Sequence, residues 1–220
     1  MVIAAITLFA VNAAFLTLEH FDLVQRIGFA AVVYSRFDLN AAENFGSLFG
    51  FLLWAASSLV CFLIGTRQDS PFYKHWRALA IAFLLPAIDE ITGVHVIISL
   101  FLRRVLNASG FFVYKLGWAI PAAILVILAI PIFYRFLASL PAATRYLSLA
   151  GLAVFAFGAV GLEVVSNYFG GPCGYTCWSY EVSSNVEEAV QLIGQMILLH
   201  SLLACATTLE DGPVSLRISR

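Results

Sequence analysis

Charge is what this chain has least of. Only 11% of its 220 residues are charged, against roughly 25% in a soluble domain. So few charges could not cover a folded surface in water, whereas a bilayer removes that need. A basic stripe is also missing. The formal net charge is -1, which excludes nucleic acid as a partner, because such a partner requires clustered cations that release its counterions. No Ser-His-Asp arrangement, phosphate-binding loop or dinucleotide fingerprint is present. Internal repeats and low-complexity tracts are lacking, so residues 1–220 read as a single integral membrane domain. The first segment has no basic n-region and no small-residue cleavage site before Glu19, and it reads as a retained span rather than a signal peptide.

What the chain does have is apolar sequence. Hydrophobic residues make up 61%, with 19 Phe, 8 Tyr and 4 Trp, and the mean hydropathy is +0.92. A bilayer core takes about 20 mostly apolar residues per helix. Six stretches qualify: residues 1–18, 44–66, 76–102, 116–137, 146–169 and 186–208. The expected fold is therefore all-α, a polytopic transmembrane bundle of about six spans. Pro121 and Pro131 predict kinks in the fourth span. The small residues Gly151, Ala153, Ala156, Gly158, Ala159 and Gly161 predict close helix packing along the fifth. Between the first two spans, Leu23, Val24, Ile27, Ala31 and Val32 mark a short amphipathic piece suited to the interface.

Lys and Arg set the orientation. With a cytoplasmic N-terminus, the inside carries a small excess of them, and the loop 167–185 between the fifth and sixth spans carries none. This is the topology of a protein of a bacterial inner membrane. The same loop holds Cys173 and Cys177, which either close a small disulfide loop in an oxidising compartment or stay as two thiols. Asn107-Ala108-Ser109 matches a glycosylation sequon on that side, a triplet too common to decide anything.

Ionisable groups inside spans are expensive and by default mark function. Asp89, Glu90 and His95 lie in the third span, Glu163 in the fifth, Glu187 and Glu188 in the sixth, and Glu43 opens the second. Because the helices alternate in direction, Glu43, His95, Glu163 and Glu187 all fall within ~12 Å of one membrane face, with Asp89 and Glu90 deeper. Helical phase adds supporting polar groups. Glu188, Gln191 and Gln195 follow i, i+3, i+7, Glu187 and Gln191 are one turn apart, and Asp89, Thr92 and His95 advance around one side of their helix. Glu90 lies about 100° to the other side of Asp89, facing a neighbouring helix or a second position. His200 lies on the opposite side of its helix from Gln191 and reads as structural.

Acids packed together in a low dielectric either bind cations or hold protons. The first option makes Asp89, Glu90, His95, Glu163, Glu187 and Glu188 a metal set, for iron, manganese, calcium or magnesium rather than zinc, which prefers Cys and His. The second makes the same acids a proton or cation path, and a third reading is a hydrogen-bond network that holds the bundle together. Haem between His95 and His200 is excluded, because the two differ by ~15 Å in depth.

Asp89-Glu90 with His95 following, Gly158-Ala159-Val160-Gly161-Leu162-Glu163, and Glu187-Glu188 with Gln191 and Gly194 together resemble a family of bacterial multi-pass membrane proteins of unassigned biochemistry. The resemblance covers residues 85–200. In that family the third helix carries His-Glu and the sixth a further acid, where this chain has Val96 and Gln191. Both departures remove ligand charge from a two-metal site. The sequence expectation is thus a metal-dependent membrane enzyme acting on a lipid or other hydrophobic substrate. A proton- or cation-coupled transporter and a non-catalytic subunit of a larger membrane complex are the competing readings. Beyond the bilayer itself, a second copy or another membrane chain is the open class of partner.

Overall fold

The computed structural model describes residues 1–21, 23–26, 28–41, 44–67, 71–106, 117–173 and 177–210. Glu43 and the Asn107-Ala108-Ser109 triplet lie outside them. Among the described residues every regular element is helical.

Helix α1 (Val2–His20) buries only Ala5, Leu8, Asn12 and Leu16, a single stripe at helical spacing, so the rest of its apolar surface faces outward. Two short helices follow, α2 (Leu23–Arg26) and α3 (Gly28–Phe37), where the amphipathic piece was expected. Tyr34 of α3 packs with Leu16 and Val24. Burial, and then a hydrogen bond with Glu19, push its phenol well above the usual tyrosine range.

Helix α4 (Phe45–Gly65) begins where Asn44 accepts the Ser47 N–H at 2.8 Å, an N-cap that satisfies one free donor of the first turn. Helix α5 (Tyr73–Thr92) runs back beside it and ends at Gly93, which takes φ 61° and donates its N–H to Asp89 O at 2.7 Å. A left-handed residue suits glycine and stops an α-helix. The chain then leaves at 83° as α6 (Val94–Val105). The expected continuous third span, 76–102, is therefore two helices broken at Gly93.

Helix α7 (Ala119–Ser139) is the most peripheral of the long helices, with 6% of its apolar window buried. It is one unbroken element. Pro121 falls in its first turn, where a missing N–H costs nothing, and Pro131 lies inside it. The next run passes from α8 (Ala142–Ala156) through a π-helical stretch (Phe157–Leu162) into α9 (Glu163–Cys173). Such wide turns are rare and recur at functional sites. This one ends at Glu163. Helix α10 (Trp178–Glu210) starts eight residues earlier than the expected sixth span. Cys173 and Cys177, on either side of the α9–α10 turn, form a disulfide with Cα atoms 5.7 Å apart.

The core lies where α4, α5, α10 and the end of α7 meet, around Trp54, Cys61, Trp76, Phe83, Phe136, Leu198 and Leu202, with Phe155 of α8 packed against it. A polar latch ties the N-terminal helices to α10. Asn185 Oδ1 accepts from Asn12 Nδ2 at 2.8 Å and from Leu39 N at 2.9 Å, and Asn12 Nδ2 also reaches Phe37 O at 2.9 Å. Among the described residues five helical runs are long and apolar enough to cross a bilayer, and the bent α5–α6 pair makes a sixth if counted as one span. Their outward faces carry large apolar side chains such as Ile81, Ile97, Leu125 and Ile132. With every backbone bond made inside its own helix, such segments suit lipid.

Candidate functional site

The break at Gly93 builds the first part of the site. Asp89 stands on the last turn of α5, and its carboxylate meets the exposed start of α6. Oδ1 accepts the His95 N–H at 2.7 Å, Oδ2 lies 2.7 Å from His95 Nδ1, and Val94 N–H also donates to the carboxylate. An anion at a helix N-terminus meets free N–H groups and the positive end of the helix dipole. Asp89 and His95 thus pair across a corner, not along one continuous helix as their spacing suggests.

Glu90 turns the other way. Its carboxylate reaches α4 at Gly50, where a Cβ would lie 2.9 Å from Oε1, and Oε1 accepts from Gln195 Nε2 of α10 at 3.3 Å. A side chain at position 50 would occupy the space that Glu90 fills.

The second part comes from α9 and α10. Glu163 Oε1 accepts from Asn167 Nδ2 at 2.7 Å. Glu187 Oε2 accepts from Ser166 Oγ at 2.7 Å, and its Oε1 from Gln191 Nε2 at 3.4 Å. Glu163, Glu187 and Glu188 all line the same cavity. The backbones allow this because α9 and α10 approach closely: a Cβ on Gly158 would fall 2.7 Å from Gln191 Cγ and 3.0 Å from its backbone N.

Between the two parts is a cavity of about 280 Å³ lined by His95, Glu163, Glu187 and Glu188, with Asn40, Ser99, Trp118, Ser166, Tyr180 and Ser184, and closed on its apolar side by Val96 and Leu100. Among these described lining residues there is no Lys or Arg. Trp118 donates its backbone N–H to Ser99 Oγ at 3.1 Å and sets its ring edge-on to His95, centroids 6.0 Å apart. Ser184 Oγ donates to Asn40 Oδ1 at 2.7 Å, which brings the segment before α4 over the start of α10.

Not every expected site residue arrives here. Asp89 acts through His95, and Glu90 with Gln195 sits behind Glu188 rather than on the cavity wall. Thr92 turns outward and bonds its own helix at Ile88 O. His200 is exposed and away from the cavity. Among the described residues no three His, Cys, Asp or Glu side chains are grouped to hold a metal ion. Of the six residues expected as a metal set, His95, Glu163, Glu187 and Glu188 share the cavity wall, while Asp89 is turned onto His95 and Glu90 onto Gln195.

The sequence reading missed Asn40, Ser99, Trp118, Tyr180 and the pair Ser166–Ser184. A signal existed for the last two. Ser166 follows Glu163 by one turn and Ser184 precedes Glu187 and Glu188 by one turn, so both extend polar stripes already recognised.

Fold and site together define a multi-pass helical membrane protein with an acid-lined cavity at one end of its bundle. A family model described as a domain of unknown function, DUF8692, matches residues 1–206, and the chain belongs to that family. No curated protein and no solved structure matches it.

Proposed function

We propose that the protein is a proton-coupled cation transporter, with Glu163, Glu187, Glu188 and His95 as the groups that exchange protons for substrate. The observation that carries this reading is that Glu163, Glu187, Glu188 and His95 share the wall of one cavity whose described lining offers no Lys or Arg. Acids gathered in a low dielectric without a cationic side chain cannot all stay ionised, so such a group holds a proton. When that proton leaves, a cation must take its place, and the reverse exchange follows by the same balance. Protonatable acids within spans are the usual means of such coupling.

A metal-dependent enzyme would need the acids to converge on one ion, and among the described residues no three His, Cys, Asp or Glu side chains are grouped to do so. Support for the transporter reading comes also from the partners themselves. Ser166, Asn167 and Gln191 can bond to a carboxyl group whether or not it holds a proton, so the acids can change state without unfolding the site.

The test is flux. The purified protein is placed in phosphatidylcholine–phosphatidylglycerol vesicles holding a pH-sensitive dye, and Na⁺, Mg²⁺ or ethylammonium is added outside. At least one of these cations should drive proton movement, and Glu163→Gln should abolish it. Proton movement that none of the three elicits, or that Glu163→Gln leaves intact, overturns the reading.

A further inference from the structure

Asp89 does not line the cavity, yet it makes the most closely defined contacts of any acid in the bundle. Its two oxygens are used at once, Oδ1 on the His95 backbone N–H and Oδ2 on the His95 ring, each at 2.7 Å. The backbone contact fixes which oxygen faces the ring. An ionised carboxylate only accepts hydrogen bonds, so the ring nitrogen facing it, Nδ1, must donate. With Nδ1 committed, Nε2 is the nitrogen left to meet the cavity that His95 lines. Trp118 stands edge-on to the ring at 6.0 Å, and Glu163 lines the same cavity as His95.

Building on the transporter reading, we propose that Asp89 is the positioning residue for His95, holding its neutral ring as the Nδ1–H tautomer so that the Nε2 lone pair receives the proton released by Glu163. The step is a simple transfer. The O–H bond of Glu163 breaks, an N–H bond forms at Nε2, and the imidazolium charge is balanced by Asp89 on one side and by the new Glu163 carboxylate on the other. The same partner that orients a histidine also fixes its tautomer. The left-handed Gly93 is what makes the pairing available, because only a sharp corner brings the start of α6 back over the carboxylate of α5.

An asparagine at position 89 separates positioning from simple helix capping. Its Oδ1 can still accept the His95 backbone N–H. Its amide then faces Nδ1 as a donor, so the ring must move its proton to Nε2, where it blocks acceptance. The measurement is the ¹⁵N spectrum of the protein labelled at histidine, in vesicles at alkaline pH, with the His95 signals assigned by their loss in His95→Gln. The unaltered protein should show Nδ1–H, Asp89→Asn should show Nε2–H, and its proton flux should fall about a hundredfold, the scale of a lost proton acceptor. An Nε2–H ring in the unaltered protein overturns the proposal whether or not the variant folds. An unchanged tautomer in Asp89→Asn overturns it too, even with Glu163→Gln inactive and the coupling reading intact. If Glu163→Gln keeps full flux, the coupling reading fails instead, and the tautomer result still reports the Asp89–His95 geometry separately.

Discussion

Gly194 of α10 and Gly151 of α8 stand face to face where the two helices cross. A Cβ on Gly194 would lie 2.4 Å from Phe155 N and 2.7 Å from Gly151 O, and one on Gly151 would lie 2.7 Å from Leu198 N. All three atoms are backbone, so nothing at the crossing can swing aside. Small residues at membrane helix crossings permit this approach.

Gly194→Ala should therefore push α8 and α10 apart and cost about 1–3 kcal/mol or more, as overpacking does. Gly50→Ala is the useful contrast, because its Cβ would meet only the carboxylate end of Glu90. That side chain can move, so stability should change by less than about 1 kcal/mol, within what a helical Gly→Ala gain offsets. Thermal unfolding in detergent compares the two. Equal losses would mean that the crossing is not the tight point described.

Glu163 distinguishes the readings of the acid cluster by stability alone. Glu163→Gln imitates a protonated acid and should unfold within about 0.5 kcal/mol of the unaltered protein. Glu163→Ala strips Asn167 Nδ2 of a partner and should cost about 1–3 kcal/mol. Chelator should leave the Tm of the unaltered protein where it is. A fall in Tm with chelator would restore the metal set.

The Cys173–Cys177 disulfide reports orientation. With the N-terminus in the cytoplasm, a membrane-impermeant thiol reagent added to intact cells after reduction should label both residues. Cys61 and Cys205 are buried in the core and add little background. Labelling that appears only once the cells are permeabilised would reverse the topology and put the cavity on the inner side.

Tyr34 predicts a loss of stability in alkali. Its folded phenol is pushed well above the ordinary tyrosine range, chiefly through burial. For a group shifted upward, the contribution is complete below the unfolded pKa and is lost as pH rises through the folded one. Unfolding measured above pH ~10 should show the unaltered protein losing stability relative to Tyr34→Phe, which has no proton to lose. Parallel curves for the two proteins would remove Tyr34 as the cause.

The solvent of the fold and the number of spans follow from composition and run length alone, because burying apolar surface and pairing every backbone group are demands that the bilayer makes on any sequence. The small residues around Gly151 and Gly158 were legible for the same reason: close approach of two helices is a local property. What Asp89, Glu90 and His95 do was not legible. Their spacing was read along a single helix, and the left-handed turn at Gly93 ends that helix between them. Asn40 and Trp118 come to the cavity from segments distant in sequence, carried there by the Ser184–Asn40 and Trp118–Ser99 hydrogen bonds. Sequence alone picked out His95, Glu163, Glu187 and Glu188 as ionisable groups within apolar runs. Only the tertiary structure decided which of them touch, because a corner of 83° and the packing of α9 on α10 set directions that helical periodicity cannot carry across a break.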